Sequence, residues 1–310
     1  MRCGRVSEIA AEAERIISEE EIFYPEEGVE FYFRGESRNH ESDSDEDFGT
    51  RCPCCLYHDQ KWVDNEKTMY EEAMRFNVAD FRQDISMVER IARMQHFQLP
   101  TRFLDVSSNV LLSTHFACGG GMHKRQSLRN GRDGFVRIFK VASHKMKAFN
   151  SDTIQAIAHL PLLTKDEVET DKPNGLGKLV YEMKKSQGCF YAESEYAEIG
   201  ARLREDIQKV WAFKPLWNTD RIKNQAGAFF AYGCGDRKQI IEPSFSRDDY
   251  SDPNSASYGI VQIGYIRIAG ERKEAIYDEL RYFGVAAESV YPDLSNVCQE
   301  IQERFKTKGE

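Results

Sequence analysis

The sequence predicts an α+β fold, a central mostly antiparallel sheet with helices packed around it. Segments with a two-residue apolar alternation interleave with segments whose apolar residues recur every three or four positions. The chain has 310 residues and is 41% hydrophobic, enough to bury a substantial core.

The first element is a helix over residues 1–24, with Ser7 as its expected cap and Ile9, Ala13, Ile16 and Ile17 on one face. From Val29 the period changes to two. Val29, Phe31 and Phe33 point one way, Glu30, Tyr32 and Arg34 the other, and Gly35 is expected to end the strand. Arg34 at a strand end has two readings: a tie to a loop carboxylate, or a guanidinium placed to bind phosphate or carboxylate bidentately.

Residues 36–66 read as an acidic insertion, an appendage with Glu41 to Asp47 followed by Cys52, Cys54, Cys55 and His58. Zinc sites usually draw ligand pairs from separated segments, so thiols crowded around Pro53 disfavour zinc. The expectation is a solvated loop with exposed thiols.

The stretch Gln95–Ala117 is the richest in the chain. Ile85, Val88, Ile91 and Ala92 predict a preceding amphipathic helix, stopped by Pro100. The Thr101–Asp105 segment is expected to be a bent loop holding Arg102 and Asp105 beside buried Phe103 and Leu104. There a pair of ionic groups locks the loop, since buried charges need partners. Ser107 or Ser108 then caps a helix from about Asn109 to Cys118. His96 and His115 could titrate near neutral pH, and His96, inside the stretch, is the better general-base candidate.

Gly134–Val141 is the next strand, with Arg137 and Lys140 on opposite faces; a short helix follows at Thr153–His159, and Asn174–Gly177 is a turn. Glu193 and Glu195 would share a face in a strand, but Ala197, Ile199 and Leu203 indicate a helix and solvent exposure. Val210–Leu216 is a strand leading into Arg221 and Gln225, and Gln225 can fix a ligand hydroxyl or satisfy a buried backbone group. The C-terminal segment is a strand at Ile260–Ile268, a helix at Lys273–Tyr282 stopped by Gly284, and a last helix with Val297, Ile301 and Phe305 on one face.

The net charge of −9 argues against a partner of the duplex nucleic-acid type. No apolar run approaches the roughly 20 residues a membrane span needs, and the start of the chain does not read as a secretory signal. The eight cysteines, mostly scattered singly, fit a reduced, cytoplasmic protein.

Three separated motifs carry a family resemblance. Phe33-Arg34-Gly35, the run Gln95-His96-Phe97-Gln98-Leu99-Pro100-Thr101-Arg102-Phe103-Leu104-Asp105, and Arg221-Ile222 with Gln225–Phe229 occur in the order found in the FRG-domain family. That bacterial and phage family is named for its Phe-Arg-Gly motif. Its central signature is Gln-His-Tyr-Gly-Leu-Pro-Thr-Arg-Leu-Leu-Asp-Trp-Thr, from which Phe97, Gln98, Phe103, Val106 and Ser107 depart, and the resemblance spans roughly residues 25–305.

The order of parts is also similar to that of the ADP-ribosyltransferase fold. The resemblance implies NAD as substrate, with Arg34, Gly35, Tyr32, Arg102 and Ser107 binding it and Gln225, His96 and Asp105 as the catalytic candidates. Transferases of this fold generally carry Glu where Gln225 stands, and Gln cannot supply the negative charge that stabilises an oxocarbenium-like state. The implied function is an ADP-ribosyltransferase-like enzyme or NAD hydrolase, a toxin or defence effector of bacterial conflict, with a protein acceptor as partner. The alternative is a non-catalytic module that binds a nucleotide or a protein.

Overall fold

The computed structural model describes residues 2–39, 48–76, 78–119, 131–172, 175–186, 193–216, 224, 227–292 and 298. Along the chain run β1 (Arg2–Cys3), α1 (Val6–Phe23), β2 (Glu30–Glu36), α2 (Gln60–Asp64), α3 (Glu66–Phe76), α4 (Met87–His96), β3 (Phe103–Ser107) and α5 (Val110–Ala117). Then come β4 (Gly134–Val141), β5 (Met146–Ala148), α6 (Asp152–His159), α7 (Gly177–Ser186), α8 (Glu193–Leu203), β6 (Val210–Lys214) and β7 (Gly227–Tyr232). The remainder is α9 (Arg247–Ser251), β8 (Ile260–Ile268), α10 (Lys273–Leu280) and α11 (Ala287–Val290).

The class is α+β, and the strands form one open eight-stranded sheet in the order β1-β8-β4-β2-β3-β7-β6-β5. The sheet is mixed. Its outermost pairs, β1 with β8 and β5 with β6, are parallel, and the ladders between them are antiparallel.

Two clusters of helices share one face of this sheet. Ile9, Ala13 and Ile16 of α1, Leu112 of α5 and Ile276 and Leu280 of α10 pack on Phe33, Val136, Ile138 and Ile266. Val88 and Ile91 of α4, Ile154 and Ile157 of α6 and Leu179 and Met183 of α7 pack on Phe103, Phe213 and Phe229. The other face, with Tyr32, Leu104, Val106, Phe139 and Phe230, is covered by Cys52, Cys54, Leu56, Tyr57 and Val63 and by Phe245.

Several expectations change at this level. Residues 48–66 are a packed layer: Cys52 and Cys54 are buried, and only His58 among the four suggested zinc ligands is fully exposed. The sheet explains why, since its second face would otherwise expose aromatic side chains to water. The acidic residues 41–47 lie outside the described residues, as do Cys189 and the last apolar face at Val297, Ile301 and Phe305.

Thr101–Asp105 leads into a strand instead of forming a bent loop. Alternation then sends Phe103 and Asp105 to one face and Arg102, Leu104 and Val106 to the other. Ile85 lies outside α4 and is exposed, because Ser86 and Glu89 form a reciprocal capping box that starts the helix at Met87. The cap of α5 is Asn109, whose side chain accepts from Leu111 N–H and Leu112 N–H, not Ser107 or Ser108. At α1 the cap position is Arg5, which makes no side-chain cap bond. The expected turn is present at Gly175 and Leu176, and it is followed by helix α7, which the sequence did not suggest.

Gly35 does not end β2, which continues through Glu36. A Cβ on Gly35 would fall 1.8 Å from the carbonyl oxygen of Ser113, and one on Gly134 would fall 2.3 Å from that of Ala117. These two glycines let α5 lie directly on the backbone of β2 and β4.

Candidate functional site

The two halves of the sheet, β1-β8-β4-β2 and β3-β7-β6-β5, meet at the centre of the chain's richest motifs. Strands β2 and β4 pair over seven positions and β3 and β7 over five, but β2 and β3 pair at Phe33 and Ser107 alone. This single bridge is a seam, and the Phe-Arg-Gly residues line one side of it.

Arg34 follows the bridge. Its Nη1 donates to the carbonyl oxygen of Asp105 at 2.9 Å, so the guanidinium spans the place where the ladder parts. Its Nε lies 3.5 Å from Glu36 Oε1 and makes no hydrogen bond among the described residues. The side chain is 23% exposed. Arg34 remains cationic: burial works against its charge, and the neighbouring Glu36 carboxylate works for it.

Glu36 is shared. Arg137 Nε donates to the same Oε1 at 3.1 Å, while Arg137 Nη1 binds Gln262 Oε1 at 2.6 Å and its guanidinium stacks 4.1 Å over Phe48. One carboxylate therefore serves two guanidinium groups. Burial and Glu36 push the nearby Cys52 thiol up to about 12, so it stays protonated and adds no negative charge at neutral pH.

On β3, the Asp105 carboxylate accepts from Gln95 Nε2 at 3.1 Å through Oδ2. Gln95 stands on the last turn of α4, and its Oε1 accepts from Thr101 Oγ1 at 2.7 Å. Cys55 Sγ lies 4.0 Å from Gln95 Nε2. Ser107 is buried, and its Oγ accepts the Asn109 N–H at 3.0 Å.

The other expected site residues distribute differently. Arg102 does not pair with Asp105. It is buried and donates twice to Glu66, through Nε at 2.6 Å and Nη2 at 2.8 Å, while Nη1 reaches the Tyr57 hydroxyl at 3.0 Å and the Gly233 carbonyl at 3.2 Å. Lys238 Nζ adds a third contact to Glu66 at 2.8 Å. This is a lock, as the sequence suggested, but it joins β3 to α3. Tyr32 is buried with its hydroxyl on Glu30 at 2.9 Å.

His96 is buried against Phe229, and His115 is buried and stacked on Tyr277 with ring centroids 4.9 Å apart. Glu195 is exposed on α8. The side chain of Glu193, and Arg221 and Gln225 entirely, lie outside the described residues. Gln225 precedes Gly227 by two residues, and Gly227 is the register partner of Ser107.

Sequence reasoning missed Glu66, Glu36 and Gln95. Gln95 opens the quoted signature and was available as a signal; Glu66 and Glu36 are paired by topology, 36 and 101 residues from their partners Arg102 and Arg137. Among the described residues no group of three His, Cys, Asp or Glu side chains is arranged to hold a metal ion. No described helix is long and apolar enough to cross a membrane.

No curated protein matches the chain. No solved structure matches it either. The match found is to the FRG domain, over residues 30–126, shorter than the span of the three motifs because Arg221 to Phe229 lies beyond it. It begins with β2, includes the layer formed by residues 48–66, and extends past β3 and α5. Both sides of the seam, Arg34 and Ser107 with Gln95 and Asp105, thus fall within the matched residues, and this chain carries an FRG domain.

Proposed function

We propose that the seam between β2 and β3 binds a dinucleotide of the NAD type, and that the protein is an ADP-ribosyltransferase-like enzyme or NAD hydrolase. The observation that carries the reading is the single bridge Phe33–Ser107, with Arg34 beside it and β7 starting opposite Ser107. The order of parts that resembles the transferase fold is therefore also a spatial neighbourhood for its first two elements.

Arg34 has the chemistry for a phosphate. A guanidinium that has spent one nitrogen on a backbone carbonyl and shares its carboxylate with Arg137 retains donors and positive charge for an anion. Breaking the bond from nicotinamide to ribose builds positive charge on the ribose, so a group that grips the ribose hydroxyls and a nearby acid are needed. Gln225 is assigned the gripping role. Acting on a protein acceptor in the bacterial cytoplasm, such an enzyme would serve as a toxin or defence effector.

Incubating the purified protein with NAD and following free nicotinamide by chromatography tests this, with Arg34→Ala and Gln225→Ala in parallel. The reading expects release by the wild type and its loss in both variants. Folded wild-type protein that releases none, with or without a bacterial lysate as the source of acceptors, contradicts it.

One observation favours a second reading. Glu195 is exposed on a helix, so it does not serve as the missing acid. A module that binds the nucleotide without turning it over would bind NAD and leave it intact in the same assay.

A further inference from the structure

The bonds around Asp105 form a chain with one allowed direction. Thr101 Oγ1 accepts the Phe103 N–H at 3.2 Å and bonds Gln95 Oε1 at 2.7 Å, and Gln95 Nε2 donates to Asp105 Oδ2 at 3.1 Å. An ionised carboxylate only accepts, so the Gln95 amide must present its NH2 to Asp105 and its oxygen to Thr101. The Thr101 hydroxyl proton must then point at Gln95.

The backbone of Asp105 is held as well, through its carbonyl on Arg34 Nη1. The carboxylate is thus gripped by one oxygen while the other, Oδ1, accepts no hydrogen bond among the described residues. The residue is half-buried, unlike its neighbours Leu104 and Val106.

We infer that Asp105 is the acid that meets the ligand at the seam, and that Thr101 and Gln95 are positioning residues that aim its carboxylate. This rests on the NAD reading above. It fills the role that Gln225 cannot, because Asp105 carries the negative charge that a glutamine lacks.

The step it serves is balanced with water as co-reactant. The bond from ribose C1 to the nicotinamide nitrogen breaks, and its electron pair leaves with nicotinamide. The oxygen of water bonds to C1, one water proton passes to Asp105 and then to solvent, and the other stays on the new hydroxyl. A nucleophilic acceptor side chain replaces water in a transfer reaction.

The test measures NAD binding by calorimetry and nicotinamide release for the wild type, Asp105→Asn, Thr101→Val, Thr101→Ser and the double variant Asp105→Asn with Thr101→Val. Asp105→Asn should lower kcat about 100-fold or more with KM changed little. Thr101→Val should lower kcat about 10-fold, Thr101→Ser should restore it, and Thr101→Val should add nothing in the Asp105→Asn background.

A structural role for Thr101 alone would give an additive loss, and that result overturns the positioning chain. Wild-type turnover that survives in Asp105→Asn overturns the inference while leaving the NAD reading intact. If the wild type binds NAD without turnover, the enzymatic reading fails, and the chain is judged on affinity: the same non-additive pattern supports it and additive or absent effects overturn it. A folded wild type that does not bind NAD overturns both.

Discussion

Two arginines of the motifs, Arg34 and Arg102, carry the same charge and do opposite things. Arg102 is sealed into the core by Glu66, Tyr57 and Gly233. Arg34, bonded to the Asp105 carbonyl and ion-paired with Glu36, stays 23% exposed at the seam. Sequence reasoning saw that a charge beside Phe103 and Leu104 needs a partner, but gave it Asp105, three residues away. An odd spacing in a strand places two side chains on opposite faces, so that pair could not form once β3 was a strand. The distinction has a stability consequence. Replacing Arg102 by Ala strands the Glu66 carboxylate in the core and should cost about 3–5 kcal/mol, read from the midpoint of denaturant unfolding.

The same pair dictates a pH response. Burial works to raise the Glu66 carboxyl, but Arg102 and Lys238 outweigh it and hold it down at about 2, below the ordinary value near 4.3. A carboxylate whose folded value is depressed contributes stability that is complete above about 4.3 and is lost as pH falls toward 2. Glu66→Gln should therefore be destabilised at pH 7, and its deficit relative to wild type should shrink across that acid window. A deficit that does not change with pH would show that the ion pair is not its source.

Among the elements, length did not decide what was legible: β6 and α6, of 5 and 8 residues, were expected, and α3 and α7, of 11 and 10 residues, were not. Strands β4 and β8 have the bounds expected from their apolar runs, and α10 runs on through a tight turn to Gly284, which takes a left-handed φ of 77°. Strand β3 escaped because five residues containing an aspartate carry too little alternation to outvote the reading of a charged loop. Local pattern makes the glycine of the Phe-Arg-Gly motif a strand terminator, whereas its reason is contact: α5 lies against the bare backbone at Gly35. Gly35→Ala should force α5 away from β2 and cost about 1–3 kcal/mol or more, the range for an overpacked core, measured by thermal unfolding. Because the bridge to Ser107 adjoins this contact, the same substitution should also reduce nicotinamide release. Normal stability and release in Gly35→Ala would contradict the close approach.

At the scale of the whole molecule, the sheet is two half-sheets joined by one bridge, and each half has its own helical cluster on a shared face. The layer from Phe48 to Val63 closes the opposite face, which explains why thiols expected in solvent are buried. None of this was legible in local pattern, because the apolar residues between Cys52 and Val63 follow neither helical nor strand period and find their partners only through the sheet. Of the candidate site, Arg34 and Ser107 stand in the motifs, while Gln95 and Glu36 join it only through contacts.

Arg34 is proposed to hold an anionic dinucleotide at this seam. The most direct measurement is a calorimetric titration of NAD into the wild type, Arg34→Lys and Arg34→Ala, each shown to be folded by its unfolding transition. The wild type should bind, Arg34→Lys should lose roughly 10-fold or more because the ammonium lacks the planar fork, and Arg34→Ala should lose more. Equal affinity in all three, or no binding by folded wild-type protein, would contradict it.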